Sequence, residues 1–280
     1  MDSSMKLLSN INFNYIFQTL FDQLLHFFSK KSYSTGKLDK NIKAHQVYGF
    51  DIEANNLIID YLRENFPIPA QIISEESKSI LIGGNEPKFT FIIDPVDGSV
   101  NVKQGLNIFS VGIALLTGIN QLSIKNVIAS FVGNFLTAEC FIALKGKGAY
   151  CNSQQITGSK HVKPNTFIIN FELSHSNLKN YPNLLNIIPK IHQVRSLGSA
   201  ITAMSLVAKG SLDAHIDIRN RLTIENILPP SLIIQESGGI ITDDKGNELK
   251  PAFNLNQPYS LVVSGNNTIH NWILENLKKT

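Results

Sequence analysis

The chain has 280 residues, 43% hydrophobic and 17% charged, with a formal net charge of +3 and two cysteines, Cys140 and Cys151. That composition supplies a large buried core, in one unit or in two interlocked domains. It excludes a disulfide-stapled secreted scaffold. The basic residues form no stripe: Lys30-Lys31 and Lys278-Lys279 are short solvated clusters, so no nucleic-acid partner is expected.

Residues 1–6 lack the layout of a signal peptide, and a cytoplasmic location is expected. Residues 14–28 carry apolar side chains at helical spacing with a polar face that is not basic, which predicts a core or dimer helix and no membrane binding. Residues 32–46 are polar and lysine-rich and read as a mobile loop. The next helix holds Ala54, Leu57, Ile58, Tyr61 and Leu62, with Asp51 at its N-cap. Ile72 and Ile73 then lead an apolar strand into Glu75-Glu76-Ser77, which taken alone reads as a solvated turn.

Another apolar run starts at Phe89 and ends in Asp94-Pro95-Val96-Asp97-Gly98-Ser99-Val100-Asn101. The uncharged stretch 104–123 is long enough to span a bilayer. Glycines, Asn107, Asn120 and Gln121 break it into a strand at 108–116 and a turn. Strands at 127–133 and 137–144 follow, an antiparallel-rich series. The second half alternates strands (167–171, 213–218, 239–243, 259–264) with helices (181–188, 200–209, 226–236, 268–277). The fold class is therefore mixed α+β and α/β, with units 1–157 and 158–280 meeting near Gly158. Asn226 reads as the N-cap of its helix, with Pro229 and Pro230 in the first turn and Gly238-Gly239 closing it.

The chemistry concentrates at the strand ends. Asp94 and Asp97 put two hard oxygen ligands at the mouth of a sheet, where ligands tend to sit, and such groups suit Mg²⁺. A bare Asp-Pro-x-Asp-Gly is more often a turn. Here Asp51 and Glu75 precede it in order. Lys145-Gly-Lys-Gly148 lacks the spacing of a P-loop, the seven histidines show no zinc-ligand spacing, and Trp272 reads as packing.

Asp51, Glu75-Glu76-Ser77, Asp94 to Asn101, Lys145 to Asn152, Arg195 to Ala200 and Glu236 to Gly239, in this order, resemble the inositol monophosphatase-like family of Mg²⁺-dependent phosphatases, from about Leu38 to the end. The run Asp217 to Leu222 looks most like archaeal members, which often accept fructose 1,6-bisphosphate as well as inositol phosphate. The resemblance implies a layered αβαβα sandwich, two or three Mg²⁺ ions, a small phosphorylated polyol or sugar as substrate, and a homodimer. The 32–46 loop would fold over the metal site.

The resemblance also implies residue roles. Glu75, Asp94 and the carbonyl of Val96 would hold the first ion; Asp94 would bridge to a second, shared with Asp97. Ser99, supported by Asp51, would orient the attacking water, with Glu75 alongside them. The amides of Gly98 and Ser99 would receive phosphate oxygens. Asp217 and Arg219 would contact the alcohol portion of the substrate, a salt bridge between them being the plainer reading. At Asn226 the chain departs from the family, which has an Asp there completing the second metal site. Three readings stand: Asn226 ligates through its amide oxygen, Glu225 swings in, or the protein is a weakened or non-catalytic metal- or phosphosugar-binding paralogue. A 3′-phosphoadenosine 5′-phosphate phosphatase is a further alternative, disfavoured because no adenine-binding insertion is visible.

Overall fold

The computed structural model describes residues 6–30, 49–174 and 182–278. The predicted loop at 32–46 lies outside them. In chain order come α1 (Phe13–Lys30), α2 (Gly49–Asn65), β1 (Ala70–Ser74), β2 (Ser77–Ile82), β3 (Phe89–Asp97), the short α3 (Ser99–Lys103), β4 (Ser110–Thr117), β5 (Val127–Asn134), β6 (Glu139–Leu144), β7 (Ala149–Cys151) and β8 (Gln154–Gln155). Then follow β9 (Ile168–Phe171), α4 (Pro182–Ile187), β10 (Gln193–Arg195), α5 (Ala200–Ala208), β11 (Ala214–Leu222), α6 (Ile224–Glu236), β12 (Ile240–Thr242), β13 (Tyr259–Ser264) and α7 (Asn267–Lys278). Among the described residues no helix is long and apolar enough to cross a membrane.

Two sheets organise these elements. The first has eight strands in the order β2-β1-β3-β4-β5-β6-β7-β8, antiparallel except where β1 runs parallel to β3. The second has five, in the order β10-β9-β11-β13-β12, with β9 parallel to both neighbours. Side chains alternate across each strand, so every sheet has two faces to bury. Phe91 and Ile93 of β3 pack under Phe17, Leu20, Ile58 and Leu62 of α1 and α2. Ile92, between them, points the other way, into a cluster with Ile201 and Met204 of α5, Leu228 and Leu232 of α6, and Leu261 and Val263 of β13. The far face of the second sheet, with Ile169, Ile216 and Val262, is covered by Leu184 of α4 and Ile269 and Ile273 of α7. The layers therefore run helix, sheet, helix, sheet, helix, as the resemblance implied. Trp272 packs edge-on to Phe167 at 5.5 Å between ring centroids.

Two placements differ from the sequence reading. α2 already runs at Gly49, so Asp51 lies inside its first turn and not at the cap. Thr223 is the N-cap of α6, and Asn226 stands three residues in, as the reciprocating member of a capping box. Pro229 and Pro230 consequently fall in the helix interior. A β-region threonine at the cap outweighs the asparagine because the asparagine side chain can serve from the third position.

Two glycines of the Lys145 to Asn152 segment have a packing role. The Glu236 carboxylate, at the end of α6, accepts hydrogen bonds from the N–H groups of Gly146 (2.7 Å) and Gly148 (2.8 Å). It thereby ties the β6–β7 turn to the helix layer.

Candidate active site

The site begins with an irregularity in β3. Asp94 pairs with Gly112 and Asp97 with Ser110, so three steps on one strand oppose two on its neighbour. In an unbroken strand, residues three apart face opposite sides. The extra residue turns both carboxylates to the same side, toward the α5–α6 layer. Gly98 follows at φ 99°. A Cβ there would lie 2.7 Å from the carbonyl oxygen of Ile108, so only glycine fits the turn into α3.

Asp94 is buried. One of its oxygens accepts the Val96 N–H at 3.1 Å and the other accepts the Asn226 Nδ2–H at 2.8 Å. Burial raises its pKa well above the ordinary carboxylate value, and the neighbouring charges of Asp97 and Glu75 raise it further. Asp97 is pushed up to about 6 by burial, against hydrogen bonds from Ser199 and the Ile201 amide that favour its charge. Those bonds reach Asp97 Oδ2 at 2.5 Å from Ser199 Oγ and 2.7 Å from the Ile201 N–H.

Glu75 sits in the exposed β1–β2 turn. The turn is held by Ser74, whose Oγ donates to Asn55 Oδ1 of α2 at 2.7 Å and accepts the Glu76 N–H at 3.3 Å. Glu75 is raised by desolvation and by Glu76. Asp51, one turn before Asn55, is buried and its Oδ1 has no hydrogen-bond partner. Desolvation lifts it to about 7, with Glu76 and Glu75 adding and Lys103 opposing. Glu225 is buried too; its Oε1 accepts from the Thr223 hydroxyl, and its Oε2 has no partner. Glu75, Thr223, Glu225 and Asn226 line a cleft of about 410 Å³, rimmed by Arg221, Leu255 and Asn256.

Ser99 opens α3, partly buried beside Asp97 and Gly98. Asp217 and Arg219 are placed differently. Asp217 is fully buried, and both of its oxygens accept from the Arg219 guanidinium, at 2.9 and 2.6 Å. Arg219 also donates to the Ser174 carbonyl at 3.1 Å.

Asp51, Glu75, Asp94, Asp97 and Glu225 thus form a set of carboxylates whose pKa values burial raises, with Glu75 adding to the rise of Asp51, Asp94 and Glu225. Asp51 Oδ1 and Glu225 Oε2 are buried without a hydrogen-bond partner. This set of hard oxygen donors fits a divalent cation such as Mg²⁺. Among the described residues no three His, Cys, Asp or Glu side chains already converge as a finished metal cage. Asn226 shows one reason. Its Oδ1 accepts the Thr223 N–H at 3.1 Å, and a backbone N–H can only donate, so the amide nitrogen must face Asp94.

Sequence reading did not single out Asn55, Ser74, Asn170 or Glu172. For Glu172 a signal existed: Ile168 to Phe171 is an apolar run ending in a carboxylate, the same signature that marks Glu75 and Asp94.

The model of the inositol monophosphatase family matches residues 19–280. A fructose-1,6-bisphosphatase/inositol-1-monophosphatase of Methanothermobacter thermautotrophicus is 30% identical over 215 residues, covering 75% of this chain and 76% of that one. A bifunctional NADP phosphatase/NAD kinase of Methanococcus maripaludis is 30% identical over 236 residues, 76% of this chain and 41% of that longer protein. The crystal structure of extragenic suppressor protein suhB from Bartonella henselae shares the fold, with a TM-score of 0.74 at 23% identity over 95% of this chain and 96% of that one. A crystal structure of an inositol monophosphatase-fructose 1,6 bisphosphatase superposes with a TM-score of 0.71 at 27% identity, covering 94% and 97% of the two chains. The family is generally metal-dependent. With a family model spanning almost the whole chain and the acidic strand ends in their expected order, this protein belongs to the inositol monophosphatase family and is a phosphoric monoester hydrolase.

Proposed function

We propose that the chain hydrolyses the phosphomonoester of a small phosphorylated polyol or sugar, inositol 1-phosphate or fructose 1,6-bisphosphate, with Mg²⁺. The observation that carries this reading is the bulge in β3, which faces Asp94 and Asp97 the same way beside Glu75 and Asp51, whose Oδ1 has no hydrogen-bond partner. The archaeal relatives named for both substrates support it.

Bound Mg²⁺ supplies charge neutralisation of the phosphoryl oxygens and of the leaving alkoxide. Glu75, Asp94 and the Val96 carbonyl would hold one ion, with Asp94 and Asp97 sharing a second. Asn226 turns a hydrogen-bond donor toward Asp94, so it would steady that carboxylate and not ligate through oxygen. Ser99 would hold the attacking water. Asp51, whose carboxyl burial raises to about 7, would accept its proton in the ionised form. The amides of Gly98 and Ser99 would receive phosphate oxygens. Asp217 acts through Arg219: the buried pair leaves the guanidinium fixed near Ser174, where it would meet the alcohol portion.

A homodimer in the cytoplasm completes the reading, testable by light scattering and by cell fractionation. The NADP phosphatase relative supports a second substrate class, the 2′-phosphate of a nucleotide. Phosphate release should therefore be measured on inositol 1-phosphate, fructose 1,6-bisphosphate, NADP and 3′-phosphoadenosine 5′-phosphate, with and without Mg²⁺. The expected result is release that needs Mg²⁺ and falls at least ~100-fold in Asp94→Asn. No release from any of the four at high Mg²⁺, by a folded protein, overturns the reading.

A further inference from the structure

The turn Leu197-Gly198-Ser199 lies between the two sheets and is held from both. On the first sheet's side, Ser199 Oγ and the Ile201 N–H donate to Asp97 Oδ2, and Asn101 Nδ2 donates to the Leu197 carbonyl at 2.7 Å. On the second sheet's side, the Leu197 N–H donates to Asn170 Oδ1 at 3.0 Å and the Gly198 N–H donates to Glu172 Oε1 at 2.9 Å. Asn170 and Glu172 sit two apart at the end of β9, so both present the same face.

Both side chains are buried, at 0% and 5% exposure. A buried carboxylate is costly unless its oxygens are engaged. Glu172 has no place in the ion-holding set; its Oε1 accepts the Gly198 N–H and, at 3.4 Å, Asn170 Nδ2, and its charge lies near enough to Asp97 to raise that carboxyl. The turn has little slack. Gly198 is at φ 69°, and a Cβ there would come within 3.2 Å of the Asn101 amide. Asn170 is itself held, by a 2.9 Å contact between its Nδ2 and His215 Nδ1 of β11.

We infer that Asn170 and Glu172 are positioning residues for the hydrolysis. They fix the Leu197–Ser199 turn from behind, and the turn fixes the rotamer of Asp97. The inference rests on the role given to Asp97 above. Displacing a group at a reacting centre by about 1 Å can cost ~100-fold in rate. A residue that acts only by locking Asp97 should change turnover and ion binding while leaving the substrate's other contacts intact.

The test compares Glu172→Ala with Glu172→Gln, which keeps an oxygen acceptor for the Gly198 N–H and removes the charge. Asn170→Ala probes the other N–H of the same turn. Three readouts are taken: steady-state kinetics on the best substrate, Mn²⁺ binding by calorimetry without substrate, and thermal melting. The expected result is kcat lowered about 10- to 100-fold in Glu172→Ala and Asn170→Ala with KM changed less than about threefold. Mn²⁺ binding weakens in step, and Glu172→Gln recovers most of both. Equal losses in Glu172→Ala and Glu172→Gln overturn the inference, as does wild-type kcat and Mn²⁺ binding in all three variants. If Glu172→Ala does not fold, Glu172→Gln and Asn170→Ala carry the comparison. If the wild-type protein releases phosphate from no substrate, the functional reading fails separately, and Mn²⁺ binding alone decides the positioning role.

Discussion

Asn226 turns its nitrogen toward Asp94 because its oxygen is committed to the Thr223 N–H. Asn226→Asp exchanges that donor for an acceptor and restores a carboxylate beside Asp94. The half-saturating Mg²⁺ concentration should fall about tenfold. A titration of activity with an unchanged or higher half-saturation would sink this expectation. Asp51 gives a prediction with a pH sign. Its folded pKa of about 7 lies above its unfolded value, so the folded protein binds more protons through that interval and loses stability as pH rises. Without metal, Asp51→Asn should therefore melt higher than wild type at pH 8. The gain should shrink as pH falls toward 5, while activity is lost. Equal melting temperatures at pH 8, in chelator, would refute the idea that Asp51 is an uncompensated buried charge. Asp94, Asp97 and Glu75 stand out in the sequence because each ends an apolar run, whereas Asp51 reads there as an N-cap and joins them only through the family resemblance. The orientation of Asn226 was not legible there, since side-chain amide geometry depends on a capping box formed by a residue that spacing alone had not marked as the cap.

At the scale of elements, the contact between β4 and the helix layer is close. A Cβ on Gly112 would lie 2.7 Å from Ile201 of α5 and 2.8 Å from Pro229 of α6. Gly112 also pairs with Asp94. Gly112→Ala should cost roughly 1–3 kcal/mol by overpacking and should lower activity more than a distant substitution of equal cost. Urea denaturation beside a kinetic assay separates the two effects. Glu236→Ala tests the tie to the β6–β7 turn. Two charge-assisted bonds to backbone N–H groups disappear, and a loss of about 2 kcal/mol is expected; a urea midpoint within error of wild type would refute the tie. The sequence indicated β1, β3 to β6, β9, β11, β12 and β13 to within a few residues, through apolar runs bounded by turns. It missed β2, whose residues Ser77 to Ile82 alternate too weakly, the two-residue β8, and the short β10, whose partner β9 lies well upstream.

On the scale of the whole molecule, the layer order was legible from the alternation of elements together with the family resemblance. The partition of apolar side chains between layers was not. Nothing local in Phe89 to Ile93 says which face meets α2 and which meets α5 and α6. That assignment needs helices more than a hundred residues downstream.

The helices that cover the inner face of the first sheet end at Glu236, whereas the sheet itself is complete by Gln155. A ribosome making roughly 5–20 residues per second needs about 4–16 s to bridge that interval. During it, Ile92, Ala114, Val132 and Phe141 have no partner layer and face solvent or a chaperone. Nascent chains arrested near Gly158 should bind a hydrophobic dye and cut readily with protease. Full-length chains, released and cleared of the exit tunnel, should do neither.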